Sequence, residues 1–293
     1  TAQQKLAVRS AAASGAAQLV IGTHALMADA TAFADLGLVI ADEQQRFGVA
    51  QRAALLEKGT KPHLLLLSAT PIPRTLALIL YGDLEVSVIA ELPPGRQPVE
   101  TFLVDERYRK RLNAFIRKQA DEGHQTFIVC PAIEEDETES LKAAEVWAQT
   151  LKEQVFPNLR VALLHGKMKG PEKDAVMQAF AAGDYDILVS TTVIEVGVDV
   201  PNATLMVIEN ADRFGLSQLH QLRGRIGRGG TQSYCVLVSD HRSEETRKRL
   251  KALCATRDGF RIAEEDLKLR GPGDFFGSRQ SGLPIFQTAT LSD

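Results

Sequence analysis

The chain has 293 residues, 44% hydrophobic and 24% charged, enough for two ordinary domains with cores of their own. Its net charge of −3 excludes a nucleic-acid binder that works through overall positive charge, and no apolar run reaches the ~18 residues of a membrane helix. Cys130, Cys235 and Cys254 lie far apart with no CxxC or CxxH spacing, so they read as reduced packing residues of a cytoplasmic protein.

In chain order, TAQQKLAVRSAAASGAAQ (1–18) gives a helical pattern that feeds the apolar run LVI (19–21). The runs LVI (38–40) and LLLL (64–67) follow. The segment ELPPGRQP (91–98), with three prolines and a glycine, reads as a linker that neither domain continues through. Beyond it the runs resume as FLV (102–104), FIV (127–129), VALL (161–164), ILV (187–189), LMVI (205–208) and YCVLV (234–238). Continuous apolar runs separated by helical stretches predict an α/β fold whose parallel sheets are buried on both faces. Six runs complete a domain over 97–241, whereas three make a small sheet over 1–92, so the first domain is expected to be truncated at its N-terminus. The tail, 242–293, predicts a helix capped by Ser243 with acids in its first turn, a second helix over about 258–268, and the loop RGPGDFFGSRQSG (270–282). Charge is uneven: Arg213 to Arg279 holds 14 Lys/Arg against 8 Asp/Glu, a local +6 that leaves −9 on the remainder. That basic end could present a phosphate-binding face, or simply a solvated helical surface.

Three strings carry chemistry. Asp42 and Glu43 follow a strand directly, where ligands bind in open parallel sheets. A carboxylate there can hold Mg²⁺ through waters while its neighbour polarises an attacking water. The same pair would also suit a helix N-cap. Ser68-Ala69-Thr70 ends the next strand, and its hydroxyls could relay the state of the acids or simply make a turn. QLHQLRGRIGRGG (218–230) sets Arg225 and Arg228 three apart among glycines. Two guanidiniums one helical turn apart could clamp a γ-phosphate, and a structural arginine cluster is the bland alternative.

DEQQ, SAT, STTVIEVGVDVP (190–201) and QLRGRIGR, in this order, resemble motifs II, III, V and VI of superfamily 2 helicases. IGTHAL (21–26) resembles motif Ib, and LLHGKMKG (163–170) the segment after motif IV. The longer strings DEQQRFGV, LSATPIPRTLAL, VIAELPPGR, IENADRFGLSQLHQLRGRIGRG and DLKLRGPGDFFGSRQSG together resemble the RecG family of branched-DNA helicases. The transcription–repair coupling factor shares the RFGV and ATPIPRT strings, but LPPGR, CPAIEEDE and LRGPGDFFGSRQSG are more similar to RecG.

The resemblance implies two RecA-like motor lobes, the first truncated, followed by a helical hairpin and translocation loop. It implies an ATP-dependent helicase that translocates as a monomer on double-stranded DNA and remodels stalled forks and Holliday junctions in repair and recombination. ATP and Mg²⁺ are the implied cofactors. Asp42 would organise Mg²⁺ and Glu43 activate water, with Ser68 and Thr70 coupling. Gln221, Arg225 and Arg228 would read the phosphates, Arg228 as the finger, and Gly197 and Asp199 would lie at the nucleotide edge. Thr23, His24, Thr191 and Thr192 would touch the DNA backbone, as would Arg270, Arg279 and Gln280 in the last loop. Arg46 could link that loop to the acidic motif. No GxxxxGK[ST] string occurs, Gly166-Lys167 being followed by Met168, so the ATP site is expected to be half present and the chain inactive alone. The competing reading is a DNA- or partner-binding module that kept the fold and lost the motor.

Overall fold

A computed structural model describes residues 2–43, 49–68, 84–89, 91, 95–131, 137–191 and 199–270. The chain divides into two compact units, residues 1–70 and 71–293.

In the first unit, helix α1 (Ala2–Ser14) precedes a short 3₁₀ turn at His24–Leu26. Strands β1 (Leu38–Ala41) and β2 (His63–Leu66) pair in parallel, Leu38 opposite His63 and Ala41 opposite Leu66, with helix α2 (Val49–Leu56) between them in sequence. Two expectations fail here. Residues 19–21 form no strand, and Leu19 and Ile21 are 77% and 87% exposed. The sheet is not buried on both faces, since along β1 Val39 and Ala41 are buried while Leu38 and Ile40 are exposed. An apolar run becomes a strand only where a neighbour takes its backbone hydrogen bonds, and nothing in the run itself fixes that.

The second unit is a six-stranded parallel sheet in the order β3-β8-β7-β4-β6-β5. Its strands are β3 (Glu100–Val104), β4 (Gln125–Val129), β5 (Val161–Leu164), β6 (Ile187–Ser190), β7 (Ala203–Ile208) and β8 (Tyr234–Val238). Each begins or ends within a few residues of an apolar run seen in the sequence. Helices α3 (Arg109–Asp121), α4 (Glu137–Thr150), α5 (Gly170–Ala181) and α6 (Leu216–Arg223) lie in the connections between strands. Helices α7 (Glu244–Ala255) and α8 (Gly259–Arg270) form the C-terminal hairpin.

Alternate strand residues feed two cores, one on each face of this sheet. Phe127, Val129, Met206 and Ile208 pack with Phe180 of α5, Leu219 of α6 and Leu250 of α7. Ile128, Val189, Leu205 and Val207 pack with Leu112 and Ile116 of α3 and with Phe156. Every residue of β4 and β7 is buried, as continuous apolar runs predict. Each fully buried large apolar side chain contributes about 1.5–3 kcal/mol, so this double core fixes the sheet and with it the ends of its strands.

The C-terminal hairpin forms where expected, but Ser243 makes no side-chain cap hydrogen bond although it occupies the N-cap position of α7. Glu244 and Glu245 in the first turn still oppose the positive end of the helix dipole. All three cysteines are free thiols.

Candidate functional site

The residues singled out from the sequence fall at strand ends and in one turn. In the first unit, Asp42 and Glu43 directly follow β1, and parallel pairing brings the end of β2 alongside, with the Leu67 N–H donating to Ala41 O at 2.8 Å. Asp42 is exposed and Glu43 half-buried. The Glu43 N–H donates to Asp42 Oδ1 at 2.8 Å, and Glu43 sits at φ +54°, a left-handed conformation unusual for a glutamate. That turn stops the strand and leaves Asp42 exposed. The exposed Ser68 lies two residues past β2, while Arg46 and Thr70 lie outside the described residues. Thr23 is exposed, and its carbonyl accepts from the Leu26 N–H at 2.9 Å at the start of the 3₁₀ turn that contains His24, whose side chain is not described.

Among the described residues no three His, Cys, Asp or Glu side chains gather to hold a metal. One exposed carboxylate is still the donor set Mg²⁺ accepts, because the ion keeps most of its waters and takes its remaining oxygens from substrate phosphates.

The second unit gathers a tighter group. Helix α6 ends at Arg223, so Arg225 and Arg228 are not one helical turn apart as the spacing suggested. They lie on a turn, and Gly227 within it has φ +72°. A Cβ at Gly227 would sit 2.8 Å from Val99 Cγ2, and one at Gly229 would sit 2.9 Å from Pro201 O. The turn is therefore clamped between the segment leading into β3 and the segment leading into β7, which only glycines allow. Arg225 is half-buried, Arg228 exposed, and Gln221 is a half-buried residue of the last turn of α6. Arg228 Nη1 is 3.5 Å from Asp199 Oδ1, both side chains being well exposed. Such a pair is worth little by itself, so Arg228 remains available to another anion. Gly197 lies outside the described residues.

Thr191 follows β6 and is buried, its N–H donating to Leu164 O at 3.2 Å, while Thr192 lies outside the described residues. Arg270 is the last residue of α8, without a described side chain, and Arg279 and Gln280 lie outside.

Several ordering residues carry no sequence signal. Arg223, 4% exposed, donates to Leu253 O at 2.8 Å and Thr256 O at 3.0 Å, joining α6 to the end of α7. It also meets His220 Nδ1 at 3.0 Å, and burial together with the Arg223 charge pushes the imidazole pKa down to about 4, so His220 is neutral and accepts at Nδ1. Arg249 donates to Asp212 O at 2.6 Å, and Ser239 Oγ to Asp212 Oδ1 at 2.6 Å, tying α7 to the loop after β7. At the carboxyl ends of β4 and β7, Arg109 grips Glu209 at 2.6 and 2.7 Å, also pairs with Glu106, and lies 5.4 Å from the Trp147 ring. Burial alone would lower the Arg109 pKa, but the hydrogen bonds to Glu209 and Glu106 outweigh it and hold the guanidinium charged.

The family described as "Helicase conserved C-terminal domain" matches residues 107–230, and "ATP-dependent DNA helicase RecG, domain 3, C-terminal" matches residues 256–289. The ATP-dependent DNA helicase RecG of Synechocystis sp. is 57% identical over 277 residues, covering 94% of this chain and 33% of the relative. The RecG proteins of Thermotoga maritima and Streptococcus pneumoniae are 52% and 50% identical over 99% of this chain, covering 37% and 43% of their own lengths. The chain thus spans between a third and somewhat under half of these relatives. A solved structure, "Structure of RecG bound to three-way DNA junction", superposes with a TM-score of 0.76 at 49% identity, covering 94% of this chain and 36% of that one. The Mycobacterium smegmatis helicase Lhr shares the fold at 16% identity, with a TM-score of 0.56 over 78% of this chain and 33% of its own.

Proposed function

The chain belongs to the RecG family of superfamily 2 helicases, and from that premise we propose that it is the C-terminal part of an ATP-dependent, double-stranded DNA translocase that remodels stalled forks and Holliday junctions. Residues 1–92 belong to its first RecA-like lobe, 97–241 form its second, and 242–293 supply the hairpin and loop that push duplex DNA. It acts as a monomer in the cytoplasm, on branched DNA in repair and recombination. The observation that carries this reading is the Gly-clamped turn at 224–228, which bears Arg225 and sets Arg228 beside Asp199.

In the complete enzyme Asp42 would hold Mg²⁺ through water, and Glu43 would accept a proton from the water that attacks the γ-phosphate. Mg²⁺ supplies charge neutralisation for the phosphates when bound. Ser68 and Thr70 pass the state of that site onward. Gln221 and Arg225 orient the phosphates, Arg228 stabilises charge that develops in the transition state, and Gly197 and Asp199 border the nucleotide. Thr23, His24 and Thr192 hold the DNA backbone through hydroxyls, amides and an imidazole, whereas Thr191 is buried with its N–H on Leu164 O and does not belong to that set. Such contacts are sequence-blind, as translocation requires. Arg270, Arg279 and Gln280 engage the duplex at the moving loop.

The test is Arg228→Ala in the complete enzyme. DNA-stimulated ATP hydrolysis should fall by about 10³-fold or more while nucleotide binding is largely kept. Unchanged turnover would refute the assignment.

A further inference from the structure

The linker read from the sequence as a simple break between domains makes specific contacts with the arginine-bearing turn. Arg96 Nε donates to Gly227 O at 3.1 Å, and its Nη2 donates to Gly224 O at 3.1 Å and approaches Ile226 O at 3.4 Å. One guanidinium thus meets three carbonyls within residues 224–227. The next linker residues reinforce the contact. Val99 fills the space a Cβ at Gly227 would need, and Gln232 Nε2 donates to Pro98 O at 2.9 Å.

These carbonyls need a donor from outside. Helix α6 has ended, and Gly227 takes a left-handed φ, so they do not continue the helical ladder. The planar fork of an arginine suits them, because its N–H groups point in fixed, divergent directions, whereas a lysine ammonium is a single point. Arg96 is half-buried and makes no ion pair among the described residues, so carbonyl binding is its visible role.

We propose that Arg96 is a positioning residue for ATP hydrolysis: it fixes the turn that carries Arg225 and Arg228, and it makes that turn part of the peptide connecting the two motor lobes. The linker therefore acts as a strap. Any change in its path is transmitted to the finger turn directly, without passing through the sheet. Arg96 touches neither nucleotide nor DNA in this role. This inference rests on the reading of Arg228 as the finger.

The experiment uses the complete enzyme carrying this chain, with Arg96→Ala, Arg96→Lys, Arg228→Ala and the Arg96→Ala/Arg228→Ala double variant. Arg96→Ala is expected to lower kcat of DNA-stimulated ATP hydrolysis by about 10- to 100-fold, the scale set by an ångström-sized misplacement of a catalytic group. KM for ATP and affinity for a three-way junction stay within about twofold, since uniform binding is untouched. Arg96→Lys recovers little, because one ammonium cannot replace a three-carbonyl fork. The double variant loses much less than the product of the two single losses, the signature of residues coupled through one turn. A kcat equal to that of the wild type, or a double variant showing the product of the two single losses, would overturn the proposal. Amide hydrogen exchange over residues 224–230 reads the strap without turnover: it accelerates in Arg96→Ala and in Arg96→Lys, and unchanged exchange in both also overturns it. A wild-type enzyme lacking DNA-stimulated hydrolysis would instead sink the proposed function, with the exchange result still deciding the strap.

Discussion

At the scale of single residues, the second unit is organised by guanidiniums that bind protein rather than substrate. Arg223 and Arg96 serve backbone carbonyls, Arg249 serves Asp212 O, and Arg109 serves two glutamates. Delocalised charge and fixed donor geometry let arginine do this half-buried, where lysine would be less well matched. The Arg109 and Glu209 side chains are only 18% and 10% exposed, so their pairing is shielded from solvent. Arg109→Met leaves the Glu209 carboxylate buried without its partner. A loss of about 3–5 kcal/mol in unfolding free energy is expected, measured by denaturant titration. Replacing both residues by apolar ones of similar size should recover much of it. A loss under about 1 kcal/mol for the single variant would show that water reaches Glu209 freely.

At the scale of elements, the joint between α6 and the α7–α8 hairpin depends on a neutral histidine. His220 is held down to about 4, chiefly by burial and next by Arg223, against an ordinary value of 6.5. A depressed histidine contributes stability that is present above 6.5 and is lost as pH falls toward 4. The contribution at stake is roughly 3 kcal/mol. Thermal unfolding at pH 5 should therefore occur at a lower temperature than at pH 7, and His220→Gln, which still offers Arg223 an acceptor, should narrow that gap. An equal gap in the variant would place the pH sensitivity elsewhere. The same joint was only partly legible in the sequence. Helical periodicity and the glycine at 259 locate the hairpin, but nothing marks Arg223 as its anchor, because its carbonyl partners at Leu253 and Thr256 are 30 or more residues away. Likewise the spacing of Arg225 and Arg228 suggested a helix, and the turn instead follows from Gly224 and Gly227 and from the close approach of Val99 and Pro201.

At the scale of the whole molecule, the acidic pair and the arginine pair lie in different compact units, and no phosphate-gripping GxxxxGK[ST] string occurs in the 293 residues. Assayed alone with ATP, Mg²⁺ and junction DNA, the chain is expected to show no DNA-stimulated hydrolysis, because the amides and lysine that cradle the β- and γ-phosphates are missing. Measurable stimulated turnover would defeat that expectation. The sequence by itself determined the α/β class, the six strands of the second unit and the motif residues. Continuous apolar runs and glycine punctuation are local signals, read within a few residues. Tertiary structure alone decided that residues 19–21 join no strand, that the sheet of residues 1–70 buries one face, and that Arg96, Arg109, Arg223 and Arg249 hold the site's surroundings in place. Each of those outcomes depends on a partner distant in the chain, and a hydrogen bond or a buried face exists only once folding has brought that partner near.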